Sequence, residues 1–169
     1  AAFVWREVPV PVIAAVHGVA FGGGFQVALG ADMRYVAPGT RMCVMEIKWG
    51  LVPDMAGMAL MRTLARDDIV RELTYTGRIF EADEALSIGF ATKIMDDPCA
   101  AALATAREIA DKNPHAIRAD KRILNAMAHS TDAELLLAES IEQDKIIGSA
   151  NQKEAVIAQM EKRRPIFAN

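Results

Sequence analysis

The chain has 169 residues, 52% of them hydrophobic and 24% charged, which suffices for one domain with a substantial core and excludes a disordered chain. Its net charge of -3 argues against a general affinity for nucleic acid. Its two cysteines are too few for a disulfide scaffold and suit a reducing compartment, the cytoplasm or an organellar matrix.

A charge-free stretch lies near the start of the chain, from Val8 to Ala31, and its 24 residues are long enough to cross a bilayer. Two prolines and five glycines interrupt it, so we predict strand, turn and helix, and no membrane partner. The predicted elements here are, in chain order, a strand at 9–16, a turn at Gly22–Gly24, a helix at 25–32, and strands at 33–38 and 41–45. This order predicts a right-handed crossover between parallel strands.

Helices dominate the chain after Asp54. The predicted elements are helices at 55–65, 67–75 and 81–89, a short strand at 90–95, and helices at 99–112, 114–127, 131–147 and 151–163. Strands early and helices late indicate an α/β fold that carries a helical tail. We therefore expect an α/β core over residues 1–97 and a helical region over residues 98–169.

The triple glycine Gly22–Gly24 costs more conformational freedom than any other three residues would. A turn between a strand and a helix exposes the first N–H groups of the helix, which can bind a phosphate or the oxyanion that forms on a carbonyl. The phosphate motifs fail on spacing, because Gly24 and Phe25 stand where a P-loop needs Lys and Ser or Thr, and Val27 where a dinucleotide site needs glycine. An oxyanion site remains, and the alternative is that the glycines only allow close packing of helix and strand.

Two acids follow the predicted strand 41–45. Glu46 stands at its carboxyl end, and Asp54 follows eight residues later in a loop that contains Gly50 and Pro53. Open α/β sheets place reactive groups at this edge, and apolar neighbours would desolvate a carboxyl there. The alternative is that both are solvated loop acids.

Several other side chains have structural interpretations. We expect His17 to be a core histidine bonded to backbone and Cys43 to be an inert buried thiol. Met55, Met58 and Met61 are spaced three apart, which fits core packing or the lining of an acyl pocket. The three histidines and two cysteines show no metal-ligand spacing, so we predict no metal.

Four segments of the chain together resemble the crotonase superfamily, that is, the enoyl-CoA hydratase/isomerase family. They are "PVPVIAAVHGVAFGGGFQVALGADMRYV", "EIKWGLVPDMAG", "LTYTGRIFEADEALSIGFATKI" and "EKRR". The resemblance implies a spiral ββα core, of which this chain is the C-terminal portion. It also implies an acyl-CoA substrate with no cofactor other than the coenzyme A of the thioester itself, and a helical trimerisation region that builds a homotrimer or hexamer.

The same resemblance implies roles for named residues. Gly23 would supply one of two N–H groups that bind the thioester oxygen, with Gly22 and Gly24 beside it at the substrate, and the second donor and most of the adenine pocket are expected upstream. Glu46 would be the acid/base. Gln26 stands where hydratases have a second glutamate, and it would position substrate or water because an amide exchanges no proton at useful pH.

Asp54 matches the second acid of the family's dienoyl-CoA isomerases in spacing, although those enzymes also carry an aspartate at the position of Gln26. We therefore interpret the protein as an enzyme that shifts a C=C bond of an enoyl- or dienoyl-CoA. The alternatives are an enoyl-CoA hydratase and a non-catalytic acyl-CoA-binding protein. Lys162 would lie near CoA phosphates by the same resemblance, and otherwise simply occupies the negative end of a helix.

Overall fold

The computed structural model describes residues 1–168, which form six short strands and nine α-helices. The strands are β1 Ile13–Val16, β2 Val19–Phe21, β3 Met33–Val36, β4 Arg41–Cys43, β5 Phe80–Glu81 and β6 Lys93–Ile94. The helices are α1 Val4–Glu7, α2 Gly23–Gly30, α3 Gly57–Met61, α4 Asp67–Thr76, α5 Ala82–Ile88, α6 Pro98–Ala110, α7 Pro114–Ala126, α8 Asp132–Ile146 and α9 Ala150–Glu161. A 3₁₀ helix, Glu46–Trp49, follows β4. The predicted α/β class is confirmed.

The first four strands alternate between two sheets. The order of the first sheet is β1-β3-β6, all parallel, and that of the second is β2-β4-β5, in which β4 and β5 are antiparallel. Each of β1 and β3 is thus followed by a strand of the second sheet and then by helix, which makes two successive ββα units.

The predicted crossover is right in one respect and wrong in another. β1 and β3 are parallel neighbours, as expected. However, the glycine turn follows β2, a strand that the sequence analysis did not separate from β1. Gly18, at φ +70°, lets the chain change direction between them, and a strand of three residues is too short to show an alternating pattern.

Three aromatic rings form the centre of the core in the strand-containing part. Phe25 packs edge-on against Phe80 and Phe90, with ring centroids 5.6 and 5.3 Å apart. All three side chains are buried, together with Leu29 of α2 and Leu73 of α4. The core therefore fixes α2, the helix that begins at the glycine turn.

The chain divides into two compact units. The first comprises Ala1–Val8 and Val12–Ala104, and the second comprises Pro9–Pro11 and the chain from Thr105 onward. Within the second unit α7 packs on α8, and the buried Lys121 donates a 2.7 Å hydrogen bond from Nζ to the carbonyl of Val10. The division at residue 97 into a core and an oligomerisation region stays a prediction.

The predicted bounds of the four terminal helices agree with the structure to within two residues because each helix has explicit end signals. Asn113 caps α7 through the His115 N–H, with Pro114 at the first helical position. Thr131 and Glu134 form a reciprocal capping box at the start of α8. Among residues 1–168 no helix is both long and apolar enough to cross a membrane.

The expectation for His17 is wrong. β1 ends at Val16, so His17 falls in the connection to β2 and is exposed rather than in the core. The three methionines also differ from one another, since Met61 is fully buried in the core, Met58 is 45% exposed, and Met55 precedes α3. The spacing of three therefore does not place the three methionines on one common face of a helix.

The aromatic cluster predicts a large stability effect at Phe80. Phe80→Ala should lower the free energy of unfolding by about 3–5 kcal/mol, because it removes a buried ring and leaves a cavity. The exposed Phe3 offers a matched control, and Phe3→Ala should cost less than about 1 kcal/mol. Urea denaturation of both variants measures this, and equal losses would contradict the assignment of the core.

The end of α9 predicts a specific acid sensitivity. The carboxylate of Glu154 accepts hydrogen bonds from the Arg163 guanidinium and from the backbone N–H of Ile166. These bonds lower the pKa of Glu154 from 4.5 to about 2. Because the folded-state pKa is depressed, this contribution to stability is present above pH 4.5 and is lost as the pH falls toward 2. Glu154→Gln should therefore show a smaller loss of urea resistance than the parent over this interval; an identical loss would refute the assignment.

Candidate active site

The glycine turn leaves backbone donors unoccupied at the start of α2. Gly22 has φ +50° and ψ -120°, donates its N–H to the carbonyl of Cys43 at 3.0 Å, and accepts from the N–H of Gln26. The next two N–H groups, of Gly23 and Gly24, donate to no acceptor within residues 1–168. Two free donors thus lie at the positive end of the helix dipole.

Glu46 contacts this turn. It follows β4 as the first residue of the 3₁₀ helix, and only 8% of it is exposed. A Cβ at Gly22 would lie 3.4 Å from Glu46 Oε1 and 3.8 Å from its carboxyl carbon. The carboxyl group of Glu46 thus lies in van der Waals range of the turn, and the positive φ at position 22 is what favours glycine there.

Gln26 connects Glu46 to a third segment. Its Nε2 donates to Glu46 Oε1 at 2.5 Å, and its Oε1 accepts from the N–H groups of Met55 and Gly57 at 2.8 and 2.9 Å. The side chain is almost fully buried. The second carboxylate oxygen, Glu46 Oε2, is also buried and accepts no hydrogen bond from the described part of the chain.

Asp54 is placed differently from Glu46. It lies in the loop between the 3₁₀ helix and α3, and it is exposed. Within residues 1–168 it makes no hydrogen bond or ion pair. The neighbouring Met55 does reach the turn, with its sulfur 3.1 Å from where a Cβ on Gly23 would stand.

Lys162 lies in the second unit, at the end of α9. It occupies the C-cap in a left-handed conformation, φ +54°, and donates its N–H to the carbonyl of Gln159. Its neighbours Arg163 and Arg164 form ion pairs with acids, whereas no ion pair of Lys162 is found within residues 1–168. Its ammonium group is exposed, and a role at CoA phosphates stays a prediction.

Sequence reasoning missed the loop that holds Gln26. The N–H groups of Met55 and Gly57 converge on one amide oxygen because Ala56 between them has φ +74°. Alanine seldom adopts this conformation, so the presence of alanine at position 56 does not predict a left-handed residue there. The glycine at position 57 is the one sequence feature that pointed to this loop. The structure explains it, because a Cβ there would lie 2.8 Å from Gln26 Oε1.

Cys43 is confirmed as a buried thiol. Its Sγ donates to the carbonyl of Gly77 at 3.1 Å, and burial raises the pKa of the thiol. Nowhere in residues 1–168 do three or more His, Cys, Asp or Glu side chains come together in a way that could hold a metal ion.

The chain belongs to the enoyl-CoA hydratase/isomerase family, whose sequence pattern it matches over residues 4–169. It is 32% identical over 158 residues to the short-chain-enoyl-CoA hydratase of Clostridium acetobutylicum, covering 91% of this chain and 60% of that protein. It is 34% identical over 137 residues to the mitochondrial Delta(3,5)-Delta(2,4)-dienoyl-CoA isomerase of Mus musculus, covering 78% of this chain and 42% of that one.

Solved structures agree with the family assignment. The enoyl-CoA hydratase of Mycobacterium tuberculosis H37Rv superimposes with a TM-score of 0.89 at 30% identity, covering 96% of this chain and 66% of that structure. The expected crotonase fold is therefore confirmed. The chain spans about half the length of the curated relatives that it matches.

The two cysteines should differ sharply in reactivity. Cys99 is exposed, whereas Cys43 is buried and its raised pKa keeps it protonated at neutral pH. A thiol reagent should modify one cysteine per folded chain within minutes and the second only after denaturation. In the Cys99→Ser variant the fast reaction should disappear, and a fast reaction of Cys43 would contradict its burial beside the turn.

Proposed function

We propose that the protein containing this chain moves a C=C bond of an acyl-CoA, with Glu46 as the acid/base and Gly23 as an oxyanion donor. One observation carries the proposal: a buried carboxyl with one unpaired oxygen lies against a turn whose next two N–H groups are free. A proton acceptor and an anion-binding group side by side are the two elements that enolate chemistry needs.

The chemistry balances without any further reactant. Glu46 takes a proton from the carbon next to the thioester carbonyl, and the C–H electron pair delocalises onto the carbonyl oxygen. The N–H of Gly23 stabilises that oxygen, and one such donor is commonly worth about 3–4 kcal/mol in the transition state. The protonated Glu46 then returns the proton two carbons further along, so that a 3-enoyl thioester becomes a 2-enoyl thioester.

Gln26 supports isomerisation over hydration. Adding water across a double bond requires removing a proton from the water and supplying another to carbon. In this site the side chain next to Glu46 is an amide, which exchanges no proton at useful pH. A single buried carboxyl can still shuttle one proton between two carbons of the same substrate.

Asp54 has a narrower role in this proposal. In a 3,5-dienoyl-CoA the proton must travel four carbons along the chain, further than one fixed carboxyl reaches. Asp54, exposed in the loop beyond Glu46, would protonate the far carbon of this longer substrate. The similarity of the chain to a dienoyl-CoA isomerase from mouse supports testing this substrate.

Hydration is the second candidate function, and the names of the relatives favour it. The protein from Clostridium acetobutylicum and the structure from Mycobacterium tuberculosis are both called enoyl-CoA hydratases. In that reaction Glu46 would hold the water through its unpaired Oε2, and Gln26 would only orient it. A non-catalytic acyl-CoA-binding protein is the outcome if no turnover is found.

The partners follow from the same proposal. In the first unit, Gly22 and Gly24 would lie at the acyl group of the substrate. For Lys162, which is exposed at the end of α9 in the second unit, the proposed partner is a CoA phosphate. Self-association into a trimer or hexamer would cover the exposed leucines of α8, Leu136 and Leu137, which are 63% and 61% exposed.

Two substitutions test the proposed acid/base residues. Glu46→Gln should lower turnover of 3-enoyl-CoA and of 3,5-dienoyl-CoA by about a thousandfold or more, because it removes the buried carboxyl that lies against the turn. Asp54→Asn should lower turnover of the dienoyl substrate alone by about 10–100-fold. The assay uses the complete protein and follows each product spectroscopically.

The controls separate the candidate functions. Coenzyme A binding to Glu46→Gln should persist, since the carboxyl is not needed to hold the nucleotide part. Turnover of a 2-enoyl-CoA to its hydroxyacyl product at a higher rate than isomerisation would favour hydration. Full activity of Glu46→Gln on every substrate would exclude the mechanism.

A further inference from the structure

We infer that Gln26 is a positioning residue: it fixes Glu46 by one carboxylate oxygen and thereby assigns proton transfer to the other. The inference rests on the role proposed above for Glu46. It differs from the expectation that Gln26 meets the substrate, because the side chain is almost fully buried and both its amide oxygen and its amide nitrogen already bond to other segments.

The orientation of the Gln26 amide follows from its partners. Two backbone N–H groups, of Met55 and Gly57, point at the same amide atom at 2.8 and 2.9 Å, so that atom must be the oxygen. The NH₂ group therefore faces Glu46 Oε1. A reversed amide would set donors against donors and place two oxygens 2.5 Å apart.

The hydrogen bond divides the carboxylate into two unequal oxygens. Oε1 is occupied by the Gln26 amide, while Oε2 is buried and accepts nothing from residues 1–168. A buried carboxylate oxygen without a partner costs free energy, and a protein retains it where another group is to bind. Oε2 is therefore the atom that receives the substrate proton, and rotation of the carboxyl would break the bond to Gln26.

The loop before α3 pays a conformational cost to keep this arrangement. Ala56 has φ +74°, a left-handed conformation that alanine seldom adopts, and the N–H groups of the residues on either side of it, Met55 and Gly57, both point toward Gln26. A Cβ on Gly57 would lie 2.8 Å from the Gln26 oxygen and 3.0 Å from Pro53. Gly57 thus acts on Glu46 through Gln26, without a recorded hydrogen bond to the carboxyl.

A double-mutant cycle tests the inference in the complete protein. Gln26→Met should lower kcat for 3-enoyl-CoA by about 10–100-fold, with KM changed less than about threefold, because the base is misplaced while the binding surfaces remain. In the Glu46→Gln background the same change should cost less than about threefold, since Gln26 then has no base to position. An equal loss in both backgrounds would mean a merely structural role and overturn the inference.

A second pair of variants tests the inference without changing residue 26, in case Gln26→Met fails to fold. Gly57→Ala keeps both side chains but crowds the Gln26 oxygen, and it should lower kcat in the same way. Ala59→Gly weakens the same helix α3 at an exposed position and should leave kcat unchanged. Loss of kcat in both variants would attribute the effect to α3 itself.

A spectroscopic readout decides the inference independently of turnover. The chain has four glutamines, and in a ¹⁵N spectrum of this chain the side-chain amide of Gln26 should stand apart, downfield and slow to exchange, from those of the exposed Gln143 and Gln159. In Glu46→Met this signal should move toward the other two. If it already coincides with them in the parent chain, the inference fails; if it stands apart but Glu46→Gln is fully active, only the proposed function fails.

Discussion

The hydrogen bonds of the Gln26 side chain, above all the one to Glu46, connect the start of α2 with two later segments: the 3₁₀ helix after β4 and the loop before α3. A buried carboxyl loses its hydrogen bonds to water, and the amide of Gln26 replaces one of them. The positive φ of Gly22, the lack of a Cβ at Gly57 and the left-handed Ala56 all serve the approach of these groups.

The sheet explains why the turn and the acid meet. β2 and β4 are parallel, and Phe21 pairs with Cys43 at their carboxyl ends. Gly22, directly after β2, and Glu46, three residues after the end of β4, therefore lie at the same edge of the sheet. This is the edge at which open α/β sheets place ligands, and the aromatic core beneath α2 holds the turn in position.

The sequence allowed good prediction where a local signal exists. Glycine at 22–24 and the acid after a short strand predicted the turn and its neighbour, and cap residues such as Asn113 predicted helix ends. β2 and β5 were missed because strands of three and two residues carry no periodicity. The links from Gln26 to the 55–57 loop, and the different burial of Glu46 and Asp54, depend on tertiary packing that one sequence does not encode locally.

The short distance between position 57 and the amide at position 26 links the evolution of these two positions. A larger residue at 57 would crowd the Gln26 oxygen as well as Pro53, and a shorter side chain at 26 would no longer span from the loop to the acid. A substitution at only one of these two positions would therefore displace the carboxyl of Glu46. Redesign of the loop for a different acyl group must either keep the pair Gln26 and Gly57 or replace both at once, which makes them a single unit of variation.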